Sequence, residues 1–130
     1  MDSQNTDQKL AVITGGASGI GLSCSKRFAK EGYAVLIIDA NKEAGEQELK
    51  SLKSDGYNAD FAYCDITKHE QVAAIFQGLA DQSKCAQVLV NCAGISPALN
   101  ALHEYPVEEW HRAIDINLHG TFYACREFLG

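Results

Sequence analysis

The sequence predicts an α/β fold, a doubly wound parallel sheet, and three observations carry that prediction. Short apolar runs alternate with helical patterns four times along the chain. The runs are apolar at successive positions, as in strands covered on both faces. A glycine cluster stands between the first run and the first helical pattern, where a strand turns into a helix. The length agrees, since 130 residues make one ordinary domain. Right-handed crossovers between parallel strands then give the expected order 3-2-1-4.

Leu10-Ala11-Val12-Ile13-Thr14 is the first strand, an apolar run that ends at glycine. The first helix begins at Gly19, carries Ile20, Cys24 and Phe28 four apart, and stops at Gly32. Ala34 to Asp39 is the second strand, apolar until its final carboxylate. A polar helix over Lys42 to Ser54 follows, anchored by Gly45, Leu49 and Leu52 and stopped by Asp55-Gly56. Ala59 to Cys64 reads as the third strand. Thr67-Lys68-His69-Glu70 has the form of a capping box, opening a helix with Val72, Ile75, Phe76 and Leu79 on one stripe. Val88-Leu89-Val90 is the fourth strand and runs into Asn91-Cys92-Ala93-Gly94. Beyond Pro97 and Pro106, a last long helical pattern holds Trp110, Ile114, Leu118, Phe122 and Phe128. Residues 1–9 are a polar tail, and 10–130 form a single nucleotide-binding unit without an internal linker.

Composition excludes several function classes. Lys and Arg number 11 against 17 Asp and Glu, a net charge of -6. With no basic cluster, such a chain repels a phosphate backbone, so nucleic acid is not an expected partner. No apolar run approaches the roughly 20 residues that cross a bilayer, so no membrane span is expected. The polar, acidic start lacks the basic and apolar segments of an export signal, and the expected location is cytoplasmic. Cys24, Cys64, Cys85, Cys92 and Cys125 are odd in number and contain no CxxC, which reads as free thiols in a reducing compartment. His69, His103, His111 and His119 show no ligand spacing, and no metal site is expected.

The chemistry concentrates in Thr14-Gly15-Gly16-Ala17-Ser18-Gly19-Ile20-Gly21. Gly15 lets the chain turn off the strand, Gly19 lets backbone approach a pyrophosphate, and Gly21 allows close helix–strand packing. The helix N-terminus offers unpaired N–H groups and partial positive charge to phosphates. Ser18 and Ile20, between the last glycines, are expected to line the same cradle. Asp39 follows Gly21 by 18 positions, at the end of the second strand. A carboxylate there can accept from both ribose hydroxyls and repels a 2′-phosphate. No Arg stands at 40–42, though Lys42 does. The cofactor reading is therefore a Rossmann-like site for NAD, preferred over NADP; the other reading of Asp39 is a plain strand end.

Taken together, Thr14-Gly15-x-x-x-Gly19-x-Gly21, Asp65, Asn91-x-Ala93-Gly94 and Asn117-Leu118-x-Gly120-x-Phe122 resemble the classical short-chain dehydrogenases/reductases over residues 10–130. The resemblance implies that Asp65 and Ile66 face the adenine and that Asn91, Ala93 and Gly94 line the adenosine ribose. It implies a catalytic role for Asn117, which holds a water in a proton relay. It also implies a homo-oligomer, because the last helix commonly packs on its counterpart. Cys92 departs from the pattern, where a second Asn is common. Other readings stay open: Asp65 as a turn carboxylate, Asn91 as a partner for loop backbone, and Asn117 as a core polar group.

The family's chemistry also needs a Ser and a Tyr-x-x-x-Lys pair. The residues four beyond Tyr33, Tyr57, Tyr63, Tyr105 and Tyr123 are Ile37, Phe61, Thr67, Glu109 and Glu127. None is Lys. The expectation is the cofactor-binding half of an NAD-dependent alcohol dehydrogenase or carbonyl reductase, inactive by itself and lacking a C-terminal half. The alternative is a non-catalytic nucleotide-binding or subunit-interaction module. An epimerase or dehydratase of the extended branch is a weaker third reading, since position 18 is Ser rather than Gly.

Overall fold

A computed structural model describes residues 8–130; the rest of the expected polar tail, residues 1–7, lies outside the described residues. Four strands, β1 (Leu10–Thr14), β2 (Ala34–Asp39), β3 (Ala59–Tyr63) and β4 (Ala86–Asn91), alternate with α1 (Gly19–Lys30), α2 (Lys42–Ser54) and α3 (His69–Asp81). The chain then runs through α4 (Val107–Ile114), a π-helical turn (Asp115–His119) and α5 (Gly120–Leu129). All pairings are parallel, in the order β3-β2-β1-β4. The doubly wound topology and strand order match the sequence expectation.

Alternate residues of each strand feed opposite faces of the sheet. Ala11, Ile13, Val35 and Ile37 pack with Ala29 of α1 and Leu52 of α2. Val12, Leu36 and Ile38 pack on the other face with Val72 of α3 and Ala124 of α5. The register places Thr14 beside Ile38 on one side and Asn91 on the other, so three strand ends meet at one edge. Ahead of β1, the Lys9 carbonyl accepts from Ala34 N–H at 2.8 Å, extending the pairing back by one residue.

Three local expectations are corrected. Helix α1 buries its apolar stripe only in part: Ile20 is 77% exposed, Cys24 and Phe28 are half-buried against the core, and the fully buried positions are the small residues Gly21, Ser25 and Ala29. The capping box does not form. Lys68 is the N-cap of α3 and no side chain caps it, because the Thr67 hydroxyl donates to Asp65 Oδ1 at 2.7 Å. The last helical pattern is interrupted by the π turn, whose five-residue hydrogen bonding shifts the phase of all that follows. Gly120 and Ala124 therefore face the core, and Trp110, Leu118 and Phe122 are all more than half exposed.

One buried group weakens the fold. Glu48 on α2 is only 8% exposed, and its Oε2 has no hydrogen-bond partner. Burial raises its carboxyl above the ordinary value, against the attraction of Lys26. An acid whose folded pKa exceeds its unfolded value contributes best below the unfolded value and loses as pH rises through the folded one. Glu48→Met is thus expected to stabilise the fold at neutral pH by about 1 kcal/mol, the scale of one unsatisfied buried polar group. The gain should shrink as pH falls toward about 4. Urea melts at the two pH values check it; a destabilised variant at neutral pH would refute it.

Candidate functional site

The site forms where β1, β2 and β4 end. Gly15 leaves β1 at φ +64° and donates its N–H to Ile38 O at 2.7 Å. A Cβ on Gly15 would stand 2.7 Å from Ala93 N, so the glycine loop and the loop after β4 meet backbone to backbone. A Cβ on Gly21 would lie 2.0 Å from Gly15 O, the close packing expected of that position. Ser25 Oγ sits 3.1 Å from Gly16 O and 3.0 Å from Gly21 O, fastening the loop to the first turns of α1. The other side of the loop is open: a Cβ on Gly19, at φ +54°, meets nothing within 4 Å. Ser18 is the N-cap of α1, exposed and extended, and its hydroxyl makes no capping bond. Exposed Ile20 stands beside it.

Asp39 closes the cradle from β2. Its Oδ2 accepts from Ala17 N–H at 3.1 Å and its Oδ1 from Asn41 N–H at 2.9 Å. Those two bonds fix the carboxylate next to the glycine loop. Each oxygen still has a free lone pair, since a carboxylate can accept about four hydrogen bonds. The turn after β3 is built differently. Asp65 Oδ1 accepts from the N–H and the hydroxyl of Thr67, at 3.0 and 2.7 Å. The hydroxyl bond leads in holding its carboxyl below the ordinary value, despite partial burial. Ile66 turns its side chain inward beneath α5, where a Cβ on Gly120 would come within 2.7 Å of it.

The loop after β4 is held at two points. Buried Thr14 Oγ1 accepts from Cys92 and Ala93 N–H, both at 3.2 Å. Asn117, in the π turn, accepts on Oδ1 from Ile95 N–H at 2.8 Å and donates from Nδ2 to Ile95 O at 3.0 Å. A Cβ on Gly94 would be 3.0 Å from Asn117 Oδ1, so this glycine admits the clamp. Asn91 is exposed at the strand end and donates to Cys125 Sγ at 3.4 Å.

Gly15 thus meets Ala93 backbone to backbone and Asp39 is bonded to Ala17 of the same loop, so the glycine loop with Ser18 and Ile20, Asp39, and the Ala93–Gly94 segment stand at one end of the sheet. Asp65 lines an adjoining groove of about 580 Å³ with Ala40, Thr67, Arg112 and Asp115. Sequence reasoning did not single out Thr14 or Ala17 as site residues. The hydroxyl of Thr14 at the end of an otherwise apolar strand is the signal for the first. Ala17 and Ile95 act through backbone alone and leave no signal. Among the described residues no group of three or more His, Cys, Asp or Glu could hold a metal ion. No helix there is long and apolar enough to cross a membrane.

This parallel sheet, with helices on both faces and a glycine-rich turn after its first strand, has the Rossmann-type architecture. Residues 9–130 match the family described as short chain dehydrogenase, and the chain belongs to that family. It is 34% identical over 121 residues to a 3β-hydroxysteroid dehydrogenase of Mediterraneibacter gnavus, covering 93% of this chain and 44% of that protein. It is 38% identical over 126 residues to the 3-hydroxyacyl-CoA dehydrogenase type-2 of Rattus norvegicus, covering 93% and 47%. Among solved structures it is similar to an NAD+-bound xylitol dehydrogenase, with TM-score 0.88, 29% identity, and coverage of 95% of this chain and 48% of the other. An actinorhodin polyketide ketoreductase variant with NADPH gives TM-score 0.89 and 32% identity, covering 96% and 48%. The chain spans just under half the length of the relatives it matches.

Proposed function

We propose that this chain is the NAD-binding part of an oxidoreductase that moves a hydride between the cofactor and an alcohol or carbonyl substrate. The observation that carries the cofactor choice is Asp39, held by Ala17 and Asn41 N–H beside the glycine loop with acceptor capacity left on both oxygens. Two ribose hydroxyls satisfy those lone pairs, whereas a 2′-phosphate would bring a second anion against them. Gly15, Ser18, Gly19, Ile20 and Gly21 then hold the pyrophosphate at the start of α1, where the first-turn N–H groups have no acceptor within the helix. Ala93, Gly94 and Asn91 line the ribose, and Asp65 with the Ile66 backbone borders the adenine. The nicotinamide, when bound, supplies the hydride acceptor.

Asn117 acts by position. Both ends of its side chain engage Ile95, so it fixes the loop beside the cofactor, and in this reading it holds the relay water. The exposed Trp110, Leu118 and Phe122 support a homo-oligomer through the last helix. A cytoplasmic location goes with this reading, on an odd cysteine count without a CxxC pair. The non-catalytic module remains the second reading, favoured by the missing Tyr-x-x-x-Lys pair.

Titration calorimetry tests the cofactor reading. NAD is expected to bind more tightly than NADP, and Asp39→Ser should erode the preference by about 1–3 kcal/mol, the scale for hydrogen bonds to a charged group. Equal affinities in the unmutated protein would overturn it. A second measurement concerns turnover. General acid–base help contributes about 10²–10⁴ in rate, and no Tyr–Lys pair is present to supply it. The 130 residues by themselves are expected to oxidise no alcohol above background, and NAD-linked turnover by the purified chain would refute this.

A further inference from the structure

Ala40, the residue after Asp39, lines a groove of about 580 Å³ together with Asp65 and Thr67 of the turn after β3. That volume falls within the range of small-molecule sites, about 300–1,000 Å³. The rest of the lining comes from α4 and the start of the π turn. Glu108, His111, Arg112, Asp115 and Ile116 stand at i, i+3, i+4, i+7 and i+8, the positions of one helix face.

Arg112 is the unengaged group of this face. The chain has three arginines, of which Arg27 is paired with Glu31 at 2.8 Å and Arg126 with Glu127. Arg112 has no ion pair among the described residues, although three carboxylates share its groove. Asp65 is taken up by Thr67, and Asp115 by His119, whose Nδ1 stands 2.9 Å from Asp115 Oδ1. Glu108, one turn before Arg112, does not reach it. A guanidinium is a flat, weakly hydrated cation that stacks on aromatic rings and on nucleobases, whereas an ammonium is a point charge without a face.

We propose that Arg112 lays its guanidinium on the adenine of the bound dinucleotide, so that α4 supplies a wall of the base's groove. This rests on the function proposed for the cradle, in which Asp39 holds the adenosine ribose. A base joined to that ribose leaves from beside Ala40 and enters the groove, where Ala40 and Ile116 offer apolar contact. Recognition is then of a flat ring and not of an anion. Three carboxylates against one guanidinium leave the groove no net attraction for a further phosphate.

The test measures affinities of the full chain for NAD, ADP-ribose and NADP by titration calorimetry. Arg112→Met is expected to weaken NAD and ADP-ribose alike by about tenfold, equivalent to roughly 1.4 kcal/mol. Arg112→Lys keeps the charge and should lose nearly as much. Arg27→Met removes the same charge from α1, and His111→Gln removes the other planar side chain of α4 that lines the groove; both should bind as the unmutated chain does. Without ligand, the Arg112 variants should melt with the unmutated chain, since the side chain is exposed and unpaired. If the unmutated chain binds ADP-ribose and Arg112→Met binds it equally well, or Arg112→Lys keeps full affinity, the stacking role is overturned and the cofactor reading stands. A loss confined to NADP would make Arg112 a phosphate ligand and overturn it too, as would a loss on His111→Gln in place of Arg112→Met. An unmutated chain that binds neither NAD nor ADP-ribose removes the cofactor reading, and this assignment with it.

Discussion

Gly21→Ala is expected to cost about 2–3 kcal/mol of stability, although the substitution puts a better helix former into a helix. In an open helix position Ala gains about 0.5–1 kcal/mol over Gly. At Gly21 the added methyl would stand 2.0 Å from Gly15 O, well inside any tolerable contact. The carbonyl cannot retreat: Gly15 is bonded to Ile38 O and backed by the Cys92–Ala93 backbone, and Gly16 is tied to Ser25. Overpacking of this kind costs about 1–3 kcal/mol, and here it displaces backbone rather than a flexible side chain. Against a domain stability of about 5–15 kcal/mol, that is a large share. Gly78→Ala provides the contrast, because a Cβ in that part of α3 meets nothing within 4 Å. It should stabilise by the ordinary helix increment. Denaturant melts of the pair check both signs, and equal effects would refute the packing argument.

That contrast also explains what the sequence reveals and what it hides. The glycine loop was legible because its spacing is dictated by sterics that survive in one dimension. Likewise β1, β2 and α2 carry their own boundaries: apolar runs, a terminal carboxylate, and Asp55-Gly56, with Gly56 at φ +87°. The face of α1 was legible only in part: Cys24 and Phe28 do pack on the core, but the fully buried Gly21, Ser25 and Ala29 carry no apolar weight in a periodicity, and Ile20 faces out. The Thr67-to-Glu70 segment carries the letters of a capping box, yet Asp65, two residues earlier, competes for the same hydroxyl and wins. On the last helical stretch a π turn shifts the phase so that Gly120 and Ala124 face the core, which a fixed 3.6-residue period cannot register. At the site, Asp39, Asp65 and Asn117 were legible as residues. Their partners are backbone groups of Ala17, Asn41 and Ile95 and one neighbouring threonine, and backbone leaves no letter in a sequence.

Gly19→Ala should separate binding from folding, and its effect on affinity is the larger of the two. The residue sits at φ +54°, so an L side chain there costs about 1–2 kcal/mol in backbone strain. No atom within 4 Å opposes the methyl, and no packing penalty is added. The methyl instead occupies the open side of the cradle, where a pyrophosphate must approach the backbone at the start of α1. NAD affinity is expected to fall at least about tenfold, equivalent to roughly 1.4 kcal/mol. Gly32→Ala and Gly56→Ala supply the reference, since both glycines have positive φ, at +93° and +87°, and open surroundings. They end α1 and α2, far along the chain from the loop, and should reproduce the stability cost while leaving NAD binding unchanged. Calorimetric titration of the three variants at a temperature where each is folded distinguishes the cases. If Gly19→Ala binds NAD as the unmutated chain does, or if the two reference variants lose affinity equally, the phosphate does not rest on Gly19.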